Sequence, residues 1–428
     1  MSLASNASND VADQAASAVQ PHLNRGHLLG PGGNTYVAHC NHYNCFLQKT
    51  LRSRSGLNMD EVLVDVAASQ FFITFALTFR TDWPLMQRLE YVETLFKTLG
   101  YGNPGVTAAA EENDIIATAS HYSEGYRAKF GVQEDPQDFF LTGALQGALT
   151  AAYGIDVTVK QQECMAMGHD HNRWTVEKHE DQRENIVAYL EKADKILQHR
   201  ESLNALSPPD DLPVPEITEA VRDMDLSGDP ANGLIPAFNV YLTFIPSLYY
   251  NVCSQIFLNR LGDQAVSQAM GQRLLREAGH ECGFYTLGNI LLSTEYASLT
   301  TSHFGASPTE HEALTALFAV VNAFGWGYWQ LDTLAEDRLQ FTVFNSYEAY
   351  NYREYFGMHS DPVCYLHLGG GAAVMNAMRY GDILDSAVEI NRTYIDKVFE
   401  QSDGFSSTEL QCFAVEGTDG PCRFDITR

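Results

Sequence analysis

The chain has 428 residues, 45% hydrophobic and 11% aromatic, enough for more than one packed core. Its 54 acidic against 27 basic side chains leave a formal charge of −27, spread over many segments, which argues against nucleic acid or an anionic membrane as partner. No apolar run reaches the roughly 18 residues of a bilayer span, and the N-terminus lacks the basic and apolar regions of an export signal, so a cytoplasmic protein is expected.

Residues 1–30 are small, polar and without apolar periodicity, and read as a flexible leader. An amphipathic helix is expected near 40–52, then another over "DEVLVDVAASQFFITFALTF". "GALQGALTAAYG" reads as a small-residue helix ended by glycine, and "CMAMGHDHNRWTVE" as a hairpin with a loose turn. "WTVEKHEDQRENIVAYLEKADKILQH" has helical spacing, which the four prolines of "LSPPDDLPVP" stop. Helices return near 245–262 and in "QAVSQAMGQRLLREAGHECGFYTLGNIL". In "RLQFTVFN", Leu339, Phe341 and Val343 alternate with polar neighbours as in a half-buried strand. "GGGAAVMNAMRYG" and "CFAVEGTDGPCRFDI" close the chain as a second small-residue helix and hairpin. The class is α+β.

The chain also repeats itself. "SHYSEGYRAKFGVQEDPQDFFLTGALQGALTAAYG" returns as "SYEAYNYREYFGMHSDPVCYLHLGGGAAVMNAMRYG", so that Ser120 meets Ser346, Arg127 meets Arg353, Asp135 meets Asp361 and Gly143 meets Gly369. "LGYG" answers "FGWG", "HYNCFLQKTL" answers "YYNVCSQIFL", and Cys164 answers Cys412. The expected organisation is a first domain over 31–178, a helical and proline-rich linker over 179–232 and a second copy over 233–428.

In the second copy, "LLREAGHECGFYTL", "AFGWGYWQL", "FTVFNSYEAYNYREYFG", "DPVCYLHLGGGAAVMNAMRYGD" and "ELQCFAVEGTDGPCRF" follow one another. This order of motifs resembles the vinyl-4-reductase domain, which occurs in proteins linked to bacteriochlorophyll synthesis and in the sensor regions of phenol- and xylene-responsive bacterial activators. The resemblance covers nearly all of 235–428; for the first copy it rests mainly on the internal repeat. It implies helices and an antiparallel sheet around an apolar ligand pocket, in domains that pair as dimers, so the two copies are expected to pair with each other as an intramolecular pseudo-dimer, with a homodimer as a further option. It further implies a zinc site, mapped onto Cys364, Glu409, Cys412 and Cys422. Four thiolate and carboxylate ligands suit tetrahedral zinc in a closed, structural role; ordinary buried thiols are the alternative. The first copy has Asp138 opposite Cys364 and Gln161 opposite Glu409, and keeps only Cys164.

The first copy instead carries "HCNHYNC", where His42 and Cys45 lie three apart on the expected helix. A Cys/His pair can form a thiolate nucleophile or ligate a soft metal. Asn44 and Asn251 occupy matching places in the repeats, and with His121 and Trp326 are expected at a ligand; Tyr249, Tyr250, Phe284, Tyr328 and Trp329 fit a pocket lining or a plain core. Arg127 and Arg353 recur and could clamp a carboxylate or tie the copies together. No G-x-x-x-x-G-K-[ST] loop, DNA-reading helix or G-x-G-x-x-G fingerprint is present, so no nucleotide cofactor is expected. The function expected first is a small-molecule-binding protein with structural zinc. The alternative is an enzyme, hydrolytic or ring-opening rather than a reductase, working through His42 and Cys45 on a small organic substrate.

Overall fold

Thr35–Cys40 (β3) is buried at all six positions and Val240–Pro246 (β8) at six of seven. Strands covered on both faces carry such continuous runs instead of an alternating pattern. The computed structural model of the protein describes residues 20–22, 26–202, 214–384, 388–401 and 404–428. It pairs these two strands antiparallel, Tyr36 opposite Pro246 and His39 opposite Thr243. They form part of a five-stranded sheet, β1–β2–β3–β8–β7, with Gln20–His22 (β1), His27–Leu29 (β2) and Ile235–Ala237 (β7).

Two smaller antiparallel sheets flank this arrangement. One holds Asp114–Ala117 (β4), Asp156–Glu163 (β5) and Asn172–His179 (β6) in the order β4–β6–β5. The other holds Tyr328–Leu334 (β9), Arg338–Phe344 (β10), Ser406–Gln411 (β11) and Cys422–Thr427 (β12) in the order β11–β12–β10–β9. The β4–β6–β5 order recurs as β10–β12–β11, and the register breaks at the same relative point, between Gln161 and Glu163 and between Glu409 and Gln411.

The helices that cover these sheets also come in matching places. Asn41–Leu51 (α1) leaves β3 as Ser247–Arg260 leaves β8, and His121–Phe130 follows β4 as Tyr347–Phe356 follows β10. Met59–Thr78 packs on Phe139–Tyr153, and Ala265–Cys282 on Tyr365–Tyr380. In both pairs glycine permits backbone contact. A Cβ on Gly147 would stand 2.1 Å from the Ala68 carbonyl oxygen, and one on Gly369 2.2 Å from that of Arg276.

The two glycine-flanked turns seen in the sequence clasp the central strands. Gly100, Gly102, Gly325 and Gly327 all have positive φ, which glycine adopts at little cost. The Tyr101 hydroxyl donates to the Phe244 carbonyl at 2.7 Å, and Trp326 Nε1 donates to the Ala38 carbonyl at 2.8 Å. Each turn therefore holds the strand that belongs to the other part of the chain.

The α+β reading holds, with several differences in detail. Within the expected leader 1–30 the structure places β1 and β2, with His27 and Leu28 buried, and 1–19 and 23–25 lie outside the described residues. Trp174–His179 continue β6, and the helix begins only at Glu184. The prolines at 208, 209 and 213 lie outside the described residues. Each closing hairpin has a strand upstream of the expected stretch, β5 and β11. Met59–Thr78 has the length and hydropathy of a membrane span, unlike the expectation of none, yet 67% of that window is buried inside the protein.

The backbone contact at Gly147 cannot yield as a side chain would. Gly147→Ala is expected to cost about 1–3 kcal/mol, read as a lower midpoint in urea, whereas Gly105→Ala, whose Cβ would meet only the Ile116 oxygen at 3.6 Å, should change stability little. Equal midpoints for both variants would contradict the close packing.

Candidate functional site: a thiol and carboxylate cluster beside an aromatic enclosure

Four elements deliver the cluster predicted from the second half. Cys364 immediately precedes the helix Tyr365–Tyr380; Glu409 points inward from β11; Cys412 follows the end of β11; Cys422 opens β12 opposite Val343. Their ligand atoms all lie within 4.8 Å of one another, and all four residues are buried. The Cys364 and Cys422 sulfurs are 3.8 Å apart. That is far beyond a disulfide bond, and it matches the roughly 3.8 Å edge of a tetrahedron with ligands about 2.3 Å from its centre.

The surroundings hold the loop but leave the cluster unbalanced. The Cys364 N–H donates to Glu409 Oε2 at 3.2 Å and the Phe413 N–H to Cys422 Sγ at 3.4 Å. Arg353 donates to the carbonyls of Phe413 and Thr418, both at 3.2 Å, and stacks on the Phe413 ring. The recurrent arginine thus fastens the loop between the two cysteines; its counterpart Arg127 is exposed. Glu409 Oε1 is buried without a hydrogen-bond partner among the described residues. Burial pushes the Cys364 and Cys422 thiols and the Glu409 carboxyl well up, while hydrogen bonds from the other two thiols hold Cys412 low. An acid with an orphaned oxygen among three thiols is a donor set that fits a dication. Glu409 and Cys412 also line an open cleft of about 420 Å³, an entry path for an ion.

The matching place in the first half is filled by hydrogen bonds. Asp138 is buried and accepts from Ser120 at 2.7 Å, from Ser123 and from Asn172 Nδ2 at 2.8 Å, while its N–H donates to Gln161 Oε1 at 3.2 Å. Cys164 Sγ lies 3.1 Å from Ser123 Oγ. Asn172 stands opposite Ala117 at the start of β6, as Cys422 stands at the start of β12. Burial raises the Asp138 pKa to about 6 against the lowering effect of its serine donors.

The residues expected to do chemistry in "HCNHYNC" are dispersed. Cys45 is fully buried, with its sulfur 3.7 Å from the Tyr122 carbonyl, and burial pushes its thiol well up. His42 stacks on Tyr285 at 4.3 Å, and burial, with the Lys129 charge, lowers its pKa to about 3. Asn44 is fully employed: it donates to His121 Nε2 at 2.9 Å and accepts from the Tyr250 hydroxyl at 2.7 Å. Asn251 donates to the Glu348 carbonyl at 2.7 Å and accepts from Asn351 at 3.3 Å. Trp326 spends its N–H on Ala38, although its ring lies 4.6 Å from His39. His169 bonds the Cys164 backbone and does not join His121.

An aromatic enclosure next to the cluster was not foreseen as a site. His39 is ringed by Tyr43, Tyr250, Trp326 and Tyr347 at 4.5–5.8 Å between ring centroids. His367, on the first turn of the helix that Cys364 opens, stacks on Trp329 at 4.9 Å and on Phe424 at 5.6 Å. Its Nδ1–H donates to Glu348, whose carboxylate also accepts the N–H groups of Leu366 at 3.1 Å and His367 at 3.2 Å. Glu348 therefore caps the helix and orients the His367 ring through Nδ1, and in the neutral ring that leaves Nε2 as the acceptor. His39 Nδ1, His367 Nε2 and Trp329 Nε1 are all buried without a partner among the described residues. Tyr43, Tyr250, Tyr347 and Glu348 also line a narrow cleft of about 20 Å³, space for a single water. The signal in the sequence was the aromatic run around Trp329; the partners His39, Glu348 and His367 come from distant segments.

No family model matches the chain, and no curated protein matches it. Among solved structures, the crystal structure of the phenol-responsive sensory domain of the transcription activator PoxR with phenol is similar to 42% of this chain and 95% of its own, at 18% identity and a TM-score of 0.35. A likeness at that level decides neither ligand nor activity.

Elemental analysis of protein purified without added metal should find one zinc per chain, lost in Cys412→Ser and kept in Cys164→Ser. Zinc content indifferent to Cys412→Ser would remove the cluster as its site. A second expectation concerns acid. Burial lowers His42 and His121 to about 3, His280 to about 4, and His39 well below its usual range. The unfolded chain takes up these protons near pH 6.5 and the folded one does not, so stability falls as pH drops below about 6.5, by about 1.4 kcal/mol per pH unit for each histidine. Asp138 acts in the opposite sense, because its folded pKa is raised. Thermal midpoints should therefore decline from pH 6.5 toward 4, less steeply in His42→Phe; a flat profile in the wild type would contradict the burial of these rings.

Proposed function

We propose that the protein is a small-molecule-binding protein whose ligand occupies the enclosure around Tyr347, with a structural zinc ion on Cys364, Glu409, Cys412 and Cys422 bracing one wall. The observation that carries this reading is the trio of buried, unpartnered polar atoms, His39 Nδ1, His367 Nε2 and Trp329 Nε1, inside an aromatic wall. Buried polar atoms without partners are few in native proteins, and a ligand is one thing that satisfies them. Trp329 Nε1 can only donate and His367 Nε2, with its proton fixed on Nδ1, can only accept; a hydroxyl on a flat apolar ring meets both demands. Opening of the tyrosine-lined cleft would admit it.

This reading includes an internal duplication. The recurrence of strand order and register break, and the pairing of Tyr36 with Pro246 while His39 pairs with Thr243, support two equivalent halves meeting across one axis. By the repeat, Tyr36 is equivalent to Thr243 and His39 to Pro246, so each pairing is the mirror of the other. The first half, 31–178, would then carry the scaffold with the metal replaced by the Asp138 network, and 233–428 the metal and the ligand. The enzymatic alternative at His42 and Cys45 draws no support from a buried, neutral thiol.

Phenol is a suitable probe, with benzene as the analogue that lacks the hydroxyl. Calorimetry should give saturable phenol binding, weakened about tenfold or more in Trp329→Phe and in His367→Phe, and benzene should bind more weakly than phenol because the polar atoms stay unpaired. Phenol and benzene bound alike, or phenol binding untouched by both substitutions, would sink the proposal.

A further inference from the structure

A second cleft, of about 200 Å³, lies away from the metal cluster and the aromatic enclosure. Its floor is Leu28 and Phe244 from the central sheet; one wall is the end of Leu85–Thr98 with Leu99; the other is the helix Pro215–Arg222 and the turn that follows it. That helix lies within the linker expected over 179–232. It is instead firmly seated: the Thr218 hydroxyl donates to the Ala319 carbonyl at 2.8 Å, and the Gly228 N–H donates to the Thr98 carbonyl at 3.1 Å. A Cβ on Gly228 would stand 1.9 Å from the Lys97 oxygen, so the backbone of the turn lies directly on the preceding helix.

The chemistry of the lining is two-sided. Leu28, Leu99, Phe244, Met224 and Leu226 offer apolar surface, most of it buried or half-buried. Arg222, in the last turn of its helix, is the cation among the lining residues. Its Nε is buried without a hydrogen-bond partner, and no ion pair to a carboxylate is found for it among the described residues. The rim carboxylate, Asp225, accepts from the N–H of Ser227 at 3.2 Å and from its hydroxyl. The helix end on the opposite wall makes no call for a cation, since the Leu99 carbonyl already accepts from the Phe244 N–H at 2.9 Å and the Thr243 hydroxyl at 2.8 Å. A guanidinium left unpaired among the described residues beside apolar surface, in a chain with 54 acidic and 27 basic residues, selects an anion with an apolar body.

We propose that this cleft binds a small amphipathic carboxylate, an aryl or short-chain alkyl acid, with the carboxylate on Arg222 and the apolar part against Leu28, Phe244 and Leu226. The site touches both β8 and the segment after residue 214, so an occupant would tie that segment to the central sheet. It is independent of the phenol-type site.

The test is calorimetry on the full chain with benzoate and hexanoate, and with benzamide as the uncharged isostere. Benzoate or hexanoate should bind at one site with benzamide weaker; Arg222→Gln should weaken the acid about tenfold or more, and Met224→Trp, which fills the cleft and keeps the charge, should do the same. Trp329→Phe should leave acid binding unchanged. Circular dichroism of Arg222→Gln guards against misfolding, and rescue of part of the affinity by Arg222→Lys would separate charge from packing. Absence of saturable binding by either acid, or binding that survives Arg222→Gln and Met224→Trp, overturns the proposal; binding lost in Trp329→Phe instead would assign the acid to the aromatic enclosure and overturn it equally.

Discussion

Everything in this fold is arranged around the antiparallel contact of Thr35–Cys40 with Val240–Pro246. The two strands come from parts of the chain some two hundred positions apart, and both are covered on their two faces, so neither can be satisfied without the other. An edge strand so apolar would expose an unpaired ladder; joining two such edges removes the problem for both. The turns at 99–102 and 324–327 then lock the pair, each reaching across to the strand of the opposite part. Helices leave both strands at the same place, so the position of α1 and of its counterpart at Ser247–Arg260 follows from this single pairing. Asn44 and Asn251, near the starts of those helices, carry the lock outward to His121 and Glu348.

The same scaffold position is stabilised by two different chemistries. Where the second half gathers three thiols and a carboxylate, the first sets Asp138 among Ser120, Ser123 and Asn172. Both must join the start of a helix to the closing hairpin at a bulge, and both must do it inside a buried space. A carboxylate with three donors achieves this with neutral partners, whereas the thiol cluster has few donors of its own and would draw cohesion from an ion. Among the described residues the cluster lies in the second half alone, so an ion bound there would bear on one wall of the aromatic enclosure, while the first-half hairpin is held by hydrogen bonds.

How much of this could be read from the sequence depends on how local the cause was. The similar spacing of the two stretches pointed to the correspondence of Asp138 with Cys364 and of Gln161 with Glu409, and both pairs lie beside the recurring register breaks. Strand Arg338–Phe344 and the small-residue helices were legible from alternation and from glycine spacing. The strands at 20–22 and 27–29 were not, since they are too short for any period and are held by pairing with Thr35–Cys40. Nor was the role of "HCNHYNC" legible: side chains three apart on one helix met different partners, Tyr285 for His42 and the Tyr122 carbonyl for Cys45. Composition within a motif predicts which groups are available; it does not predict which distant segment packs against each one. The trio His39, Trp329 and His367 makes the same point, with residues from β3, β9 and the last long helix brought together only by the fold.

The metal cluster and the enclosure are linked through one turn of helix. Cys364 precedes Tyr365–Tyr380, and His367 lies three residues further on; Glu348 takes the N–H groups of Leu366 and His367 and holds the imidazole as well. The first turn of that helix is therefore held at two points, by the Cys364 N–H on Glu409 before it and by the Glu348 carboxylate beneath it. A histidine that must present a bare Nε2 to a ligand needs both its ring orientation and its tautomer fixed, and neither a packed wall of rings nor a hydrogen bond alone fixes both. A structural ion placed here would reach no ligand itself, yet it sets the position of the group that does. On the proposed reading, precision at the binding wall would rest on the rigidity of the helix start, and a metal clamp on the far side of that wall would serve it.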